Sequence, residues 1–351
     1  MRLETIHPKE LGPAEIDRWR AHQRARPELR SPYLTPDWAR LIADARDDAR
    51  VCVIGSNDGF LGVQRLSRFA AMGLGAPIAD YQGLVSAADM RLDDSALCRA
   101  LKVGRIDLVN TPASQLSRPA GSEGSWIAEI TGGRDLYEAA LKQRRSEFVR
   151  QTNKKSRKLA REHGQVEFRA HVTEPAPFDT LIGWKNAQLQ RSGQPRIWAT
   201  PWVRATLDAC FQARERRFGG VLFTLHAGER LAAAAFCLRS ERVLHLWLLG
   251  HDSVFDSFSP GVQLARWAVG WAAENDFAEV DFGAGDYQYK RQLSTTQRPL
   301  ERGVIAGATW SGAMRRAQHA VRAQLERLPQ PHLAALPGKA LRRIDLMRAL
   351  A

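Results

Sequence analysis

Cysteine is scarce and scattered in this chain of 351 residues: Cys52, Cys98, Cys210 and Cys237 are the only four. None stands in a CxxC pair or at a Cys/His ligand spacing, so neither a zinc site nor a disulfide framework is expected. A reducing cytoplasm fits that usage. Long apolar runs are missing too, and nothing approaches the roughly 18 consecutive apolar residues of a membrane span. The opening stretch, MRLETIHPKELGPAEIDRWRAHQ, lacks the apolar core of a secretory signal. There is no GxxxxGK(S/T), which argues against a P-loop nucleotide hydrolase. There is no GxSxG elbow, which disfavours serine-hydrolase chemistry. No repeat of solenoid length appears.

Positive charge is abundant. Lys and Arg number 51 against 38 Asp and Glu, a net charge of +13. Such a balance implies an anionic partner without naming it: nucleic acid, anionic lipid, a phosphorylated cofactor or an acidic carrier protein. The excess is concentrated in residues 142–161, KQRRSEFVRQTNKKSRKLAR, and in the tail from Arg315 onward. Either block can equally be an ordinary solvated helix face. The apolar fraction of 44% is that of a globular protein, and at roughly 150 residues per domain the length suggests two domains.

The first segment, residues 1–125, reads as α/β. Thr35 or Asp37 caps a helix WARLIADA. Ser56-Asn57-Asp58-Gly59 marks a hairpin between two β-rich runs. SWIAEI (125–130) restarts as a strand. The stretch from Arg134 to Gly164 forms one or two helices and QVEFRAHV alternates as a strand. Two more helices follow, the second capped by Thr200 with Pro201 in its first turn. VLFTLHAGERLAAAAFCLRSERVLHLWLLG predicts three consecutive antiparallel strands, with turns at residues 226–229 and 240–242. Then come a helix from SPGVQL, a strand AEVDF, a short helix DYQYKRQL and a last strand PLERGVIAG. This order is not the strict alternation of a doubly wound sheet. It predicts a mixed α/β fold, a mostly antiparallel sheet flanked by helices, in a second domain over residues 126–310. Residues 311–351 read as a basic helical tail.

Two constellations carry chemistry. In SFSPGVQL, Ser259 can cap a helix, Pro260 fits its first turn, and Gly261 leaves the backbone bare. Such a helix start attracts phosphate, although an ordinary cap looks the same in sequence. In DFGAGDYQYK, Gly283 and Gly285 permit close approach. Asp286 can accept a proton or bind an amine or hydroxyl, Lys290 can neutralise negative charge, and Tyr287 and Tyr289 can protonate a leaving group. A bulge held by an Asp–Lys pair is the plain structural reading of the same residues. His251 follows a strand end, within possible reach of Gly261. Trp184 and Lys185 share a helix, and Trp184, Trp198 and Trp202 enrich that region in aromatic faces, most simply explained by core packing.

The order strand meander, SPG-opened helix, strand, DFGxGDxxYK resembles the CelD-type acyltransferases of cellulose biosynthesis, a branch of the GNAT fold. These are similar in architecture to the FemABX peptidyltransferases, which contain two GNAT-like domains. The match covers about Leu136 to Ala306, and more loosely SPYLTPDW and the Tyr81-Gln82-Gly83 triplet. The resemblance implies direct transfer of an acyl group from a thioester, usually acetyl-CoA, to an amine or hydroxyl, with no bound cofactor and no metal. It implies that Ser259, Pro260, Gly261 and Val262 meet the carrier's pyrophosphate and that Asp286 and Lys290 face the acceptor between the domains; His251, from its place past the strand end, is the third catalytic candidate. Lys185, Trp184, Tyr81, Gln82, Gly283, Gly285, Tyr287 and Tyr289 would then contact substrate. GNAT enzymes commonly show Q/R-x-x-G-x-G/A at the CoA loop; here Phe258, Ser259 and Pro260 precede Gly261, and Gln263 replaces the last glycine. Acyl carrier protein and aminoacyl-tRNA therefore stay open as donors. The expected acceptor is a sugar nucleotide or envelope-polysaccharide precursor, in the cytoplasm or at the inner face of the membrane, which the basic tail would contact. A non-catalytic scaffold for a polysaccharide synthase is the remaining alternative.

Overall fold

The computed structural model describes residues 2–90, 92–325 and 345–350. The chain forms two compact units, Met1–Glu123 with Pro299–Ala351, and Gly124–Arg298; the sequence reading draws its boundaries at 125 and 310. The part of the tail that includes KALRR (residues 339–343) lies outside the described residues.

The first unit begins with β1 (Leu3–Ile6), α1 (Pro13–Ala25), α2 (Pro36–Ala45), β2 (Ala49–Ile54), β3 (Gly59–Gln64), β4 (Ala71–Gly73), β5 (Leu84–Ser86), α3 (Asp94–Ala100) and β6 (Ile106–Pro112). Thr35 starts α2 as the sequence predicts: its hydroxyl accepts the N–H of Trp38 at 3.0 Å. The β2–β3 hairpin closes at Ile54↔Gly59, and the Asp58 carboxylate accepts the N–H of Ser56 inside the turn. Cys52, Ile54, Leu61, Val63, Leu97, Ile106 and Leu108 share the core beneath. Burying each large aliphatic side chain is worth about 1.5–3 kcal/mol.

Strand β7 (Pro119–Glu129) leads the chain into the second unit. There follow α4 (Arg134–Arg144), α5 (Ser146–His163), β8 (Val166–Arg169), α6 (Pro175–Arg191), α7 (Pro201–Gln212), β9 (Arg214–Glu215), β10 (Phe218–Ala227), β11 (Arg230–Ser240), β12 (Val243–His251), α8 (Pro260–Ala273), β13 (Glu279–Asp281) and α9 (Gln288–Leu293). The strand order in this unit is β7-β13-β12-β11-β10-β8. The three predicted antiparallel strands are β10, β11 and β12, paired in sequence order. Helices cover both faces because successive strand residues point opposite ways. Phe236 meets Phe178 of α6 and Phe211 of α7, while Cys237 falls into the other core with Leu264, Ala268 and Ala272 of α8. The expected strand 278–282 is shorter than AEVDF; it ends at Asp281, and Phe282 onward forms a loop.

The chain returns to the first unit with β14 (Thr296–Ile305), which pairs antiparallel with β6 from Leu300↔Pro112 to Ile305↔Ile106, and with α10 (Trp310–Leu325). Each unit holds one parallel pair crossed by a helix: β4 and β6 around α3, and β12 and β13 around α8. The tail is not wholly a solvated face. Arg315, at its start, is 7% exposed and bonds Asp107 at 2.8 Å and Asp345 at 2.5 Å.

Candidate functional site

The loop after β13 rests on a buried carboxylate. Asp281 is fully buried. Its Oδ1 accepts from the Ser125 hydroxyl at 2.6 Å and from the Gly283 N–H at 2.7 Å. His245 Nδ1 lies 3.6 Å from Oδ1, and Arg298 lies 3.7 Å from Oδ2 while also binding Glu279 at 2.8 Å. Burial alone would raise the Asp281 pKa, but His245, Arg298 and Ser125 outweigh it and hold the carboxyl well below the usual carboxylate range. Sequence reading missed this network. A charged residue inside an apolar strand, and a histidine in LHLWLL, were the signals.

Above that anchor the two glycines have φ of 73° at Gly283 and 94° at Gly285, the left-handed region that side chains disfavour. Trp126 Nε1 donates to the Gly285 carbonyl at 3.1 Å. The Lys290 ammonium is buried and donates to the carbonyls of Ala284 at 2.6 Å and Gly283 at 3.3 Å. It also lies 5.4 Å from the Tyr287 ring centre. Asp286 does not pair with Lys290; its partner is Arg291, and both side chains are exposed. The Asp–Lys pair of the structural reading is therefore replaced by an Asp–Arg pair. A helical residue five positions along reaches Asp286, whereas the loop carbonyls claim Lys290.

At the start of α8, Ser259 has φ 52° and ψ 53° and its side chain makes no capping bond. Its hydroxyl instead accepts from the Lys155 ammonium of α5 at 2.7 Å. The expected N-cap is thus turned outward to a cation. The Val262 and Gln263 N–H groups both return to the Ser259 carbonyl. A Cβ built on Gly261 would lie 3.7 Å from His251 Nδ1, so these two are neighbours, and His251 Nε2 is 2.8 Å from Asp256.

Ser259 and the tyrosines that follow the glycine loop border a cleft of about 710 Å³ within the second unit, whose lining does not include Pro260, Gly261, His251, Gly283, Gly285, Asp286 or Lys290. Ser259, Val262 and Gln263 form one wall, Arg144, Arg145 and Lys155 a second, and Tyr287 and Tyr289 a third. Gln263 Nε2 donates to the Phe258 carbonyl at 2.9 Å, and its buried Oε1 has no partner among the described residues. Of the predicted residues, the cleft unites Ser259, Val262, Tyr287 and Tyr289. The basic block was read as a whole, and the inward lysine, Lys155, was not singled out.

Lys185 and Trp184 lie on α6. A Cβ on Gly250 of β12 would fall 3.2 Å from the Trp184 ring, so the indole packs directly on that strand. Lys185 donates to Gln188 Oε1 at 2.8 Å; burial, and then the charge of Lys290, lower its pKa. Trp198 makes an edge contact with Trp247 at 6.2 Å. Tyr81 and Gln82 belong to the first unit, where both are buried and Gln82 Oε1 accepts the Val109 N–H at 3.0 Å. All four cysteines are free and buried, and burial pushes the Cys52 thiol up to about 11. Among the described residues no group of three or more His, Cys, Asp or Glu is placed to hold a metal, and no helix is long and apolar enough to cross a membrane.

Residues 146–291 match the family model described as acetyltransferase (GNAT) domain. None of the curated proteins compared matches the chain. Among solved structures, FemX is similar with a TM-score of 0.53 at 12% identity, over 86% of this chain and 96% of that one. The C-terminal domain of an Agrobacterium fabrum protein described as a lysylphosphatidylglycerol synthetase gives 0.52 at 12% identity, over 87% and 95%. A conserved Bacteroides thetaiotaomicron protein of unknown function gives 0.52 at 11% identity, over 85% and 98%. At these identities the likeness is one of fold. Residues 146–291 carry a GNAT-type acetyltransferase domain, and acyl transfer is the class of reaction that domain performs.

Proposed function

We propose that the second unit passes an acyl group from a thioester carrier, acetyl-CoA in the simplest case, to an amine or hydroxyl of a sugar-nucleotide or envelope-polysaccharide precursor, as CelD-type acyltransferases do. The cleft between α5 and the start of α8 carries this reading. Arg144, Arg145 and Lys155 supply positive charge beside Ser259 and Val262 at the helix tip, the combination that suits a phosphorylated carrier. Tyr287 and Tyr289 on the third wall mark where the carrier's reactive end would turn toward the glycine loop.

The acceptor nitrogen or oxygen attacks the thioester carbonyl, the C–S bond breaks, and the thiolate leaves with a proton. Most of the acceleration comes from holding the two reactants in line. Lys290, fixed by two loop carbonyls, serves as the cation that stabilises the developing oxyanion. Asp286, beside Arg291, takes the acceptor's proton, with His251 beside Asp256 as the other candidate base. Tyr287 or Tyr289 protonates the thiolate. Incubation with labelled acetyl-CoA and amino- or hydroxyl-bearing sugar nucleotides tests the scheme. Labelled product that disappears in Lys290→Ala is the expected result. No transfer from any thioester, or turnover unchanged from the parent in both Lys290→Ala and Asp286→Ala, would remove it.

A second reading is transfer from an aminoacyl-tRNA. It is favoured by the exposed Lys154, Arg157 and Arg161 along α5 and by the fold shared with FemX. tRNA binding that falls steeply with salt would support it. Failure to bind tRNA at low salt would exclude it.

A further inference from the structure

The basic stretch that opens α10 finds no use in acyl transfer. In the first unit its charges turn inward. Arg316 donates to the carbonyls of Ala306 and Gly307 at 3.1 and 3.3 Å. His319 lies three residues on, on the same side of the helix. Both border a cleft of about 900 Å³ whose lining belongs entirely to the first unit. That volume is within the roughly 300–1,000 Å³ of small-molecule sites. Asp94 and Ser95 stand on another wall with Ser117 and Arg118. A Cβ on Gly307 would fall 2.6 Å from the Ser95 hydroxyl, so Ser95 packs directly on the backbone of that glycine.

The charges are arranged, not merely present. Burial raises the Asp94 pKa on balance, against the lowering influence of the Ala306 backbone, Ser117 and Arg316. The His319 Nε2 is buried and has no hydrogen-bond partner among the described residues. Burial, then Arg315, lowers the His319 pKa; Arg302 of β14 and Arg322 of α10 add to this, and Asp107 of β6 opposes it. A buried ring nitrogen left unpaired is costly, and here it borders a cleft with two arginines on its rim.

We propose that this cleft binds a phosphate ester that also bears hydroxyl groups, the chemistry of a sugar phosphate. The phosphate lies among Arg118, Arg316 and His319 Nε2, and the hydroxyls face Asp94 and Ser95. Arginine forks suit the phosphate. The Asp94 carboxylate repels a second anionic group at its end and rewards a hydroxyl donor, which gives the site its selectivity. This reading does not depend on acyl transfer, because the two clefts are built from different residues in different units.

The test is calorimetric titration of the full chain with glucose 1-phosphate, inorganic phosphate and glucose at neutral pH. Glucose 1-phosphate should bind at least tenfold more tightly than inorganic phosphate, and glucose should give no heat. Arg118→Gln and His319→Asn should each weaken binding at least tenfold while melting temperature stays unchanged. Repeating the titration in buffers of different ionisation enthalpy should show proton uptake on binding, lost in His319→Asn. Lys155→Ala, altered only in the acyl-transfer cleft, should bind as the parent does. Absence of heat with millimolar glucose 1-phosphate would overturn the proposal. So would equal affinity for inorganic phosphate, or binding indifferent to both substitutions.

Discussion

The ammonium of Lys155 sits 2.7 Å from the hydroxyl of Ser259, although 104 residues separate them in the chain. This contact places the basic helix against the start of α8. Lys155 also lines the cleft, and a hydrogen bond from its ammonium to a carrier phosphate would be worth about 1.5–3 kcal/mol. Lys155→Ala should therefore raise KM for an acyl-CoA by about tenfold to a hundredfold and leave kcat within a few-fold. Steady-state kinetics at varied thioester concentration checks this. KM in the parent should also climb with salt, and less so in the variant.

Lys290 is expected to act on kcat. Lys290→Ala should lower kcat by about a hundredfold to a thousandfold, the usual loss for one oxyanion donor. The loop carbonyls of Gly283 and Ala284 would lose their partner as well, so thermal unfolding must be measured alongside. Lys290→Arg, which keeps the charge, should fold normally and recover only part of the rate.

Asp281 governs stability in acid. Its pKa is depressed in the folded state, so the unfolded chain binds this proton first as pH falls. The stabilisation is present above the unfolded value of about 3.9 and declines below it toward the lower folded value. Asp281→Asn leaves His245 and Arg298 without their buried anion and should cost about 3–5 kcal/mol at neutral pH. Urea unfolding between neutral and strongly acid pH should show a flatter acid limb in the variant.

For Lys185 the sign is opposite. Burial and the Lys290 charge lower its pKa, so folding releases its proton in the interval between the folded value and the unfolded value of about 10.4. Stability therefore rises with pH across that interval. Lys185→Met should remove this rise and increase the melting temperature at neutral pH. Scanning calorimetry across alkaline pH distinguishes the two proteins.

Local signals were legible in the sequence. Thr35 before a proline-opened helix, Asp58-Gly59 between β-rich runs, and the meander of β10 to β12 all correspond to elements of the structure. Each depends on residues a few positions apart. The side-chain partners were not legible, because they come from distant segments. Asp281 meets Ser125 across 156 residues. Asp286 chooses Arg291 because the loop carbonyls have taken Lys290, and no spacing rule ranks those options. Ser259 looks in sequence like a simple cap. Its left-handed backbone turns the hydroxyl to Lys155 instead, and only the folded chain shows that.

Arg315 is shared by Asp107 and Asp345, and Arg46 donates to the carbonyl of Ala349 at 3.1 Å. The final residues thus work as a latch on the first unit. Cutting the chain near Gly312 would strip Asp107 of Arg315 and uncover the site where Ala349 lies fully buried. A shortened protein that fails to reach a membrane or a partner would then be reporting a loosened fold, and single substitutions on the outer face of α10 are the cleaner instrument.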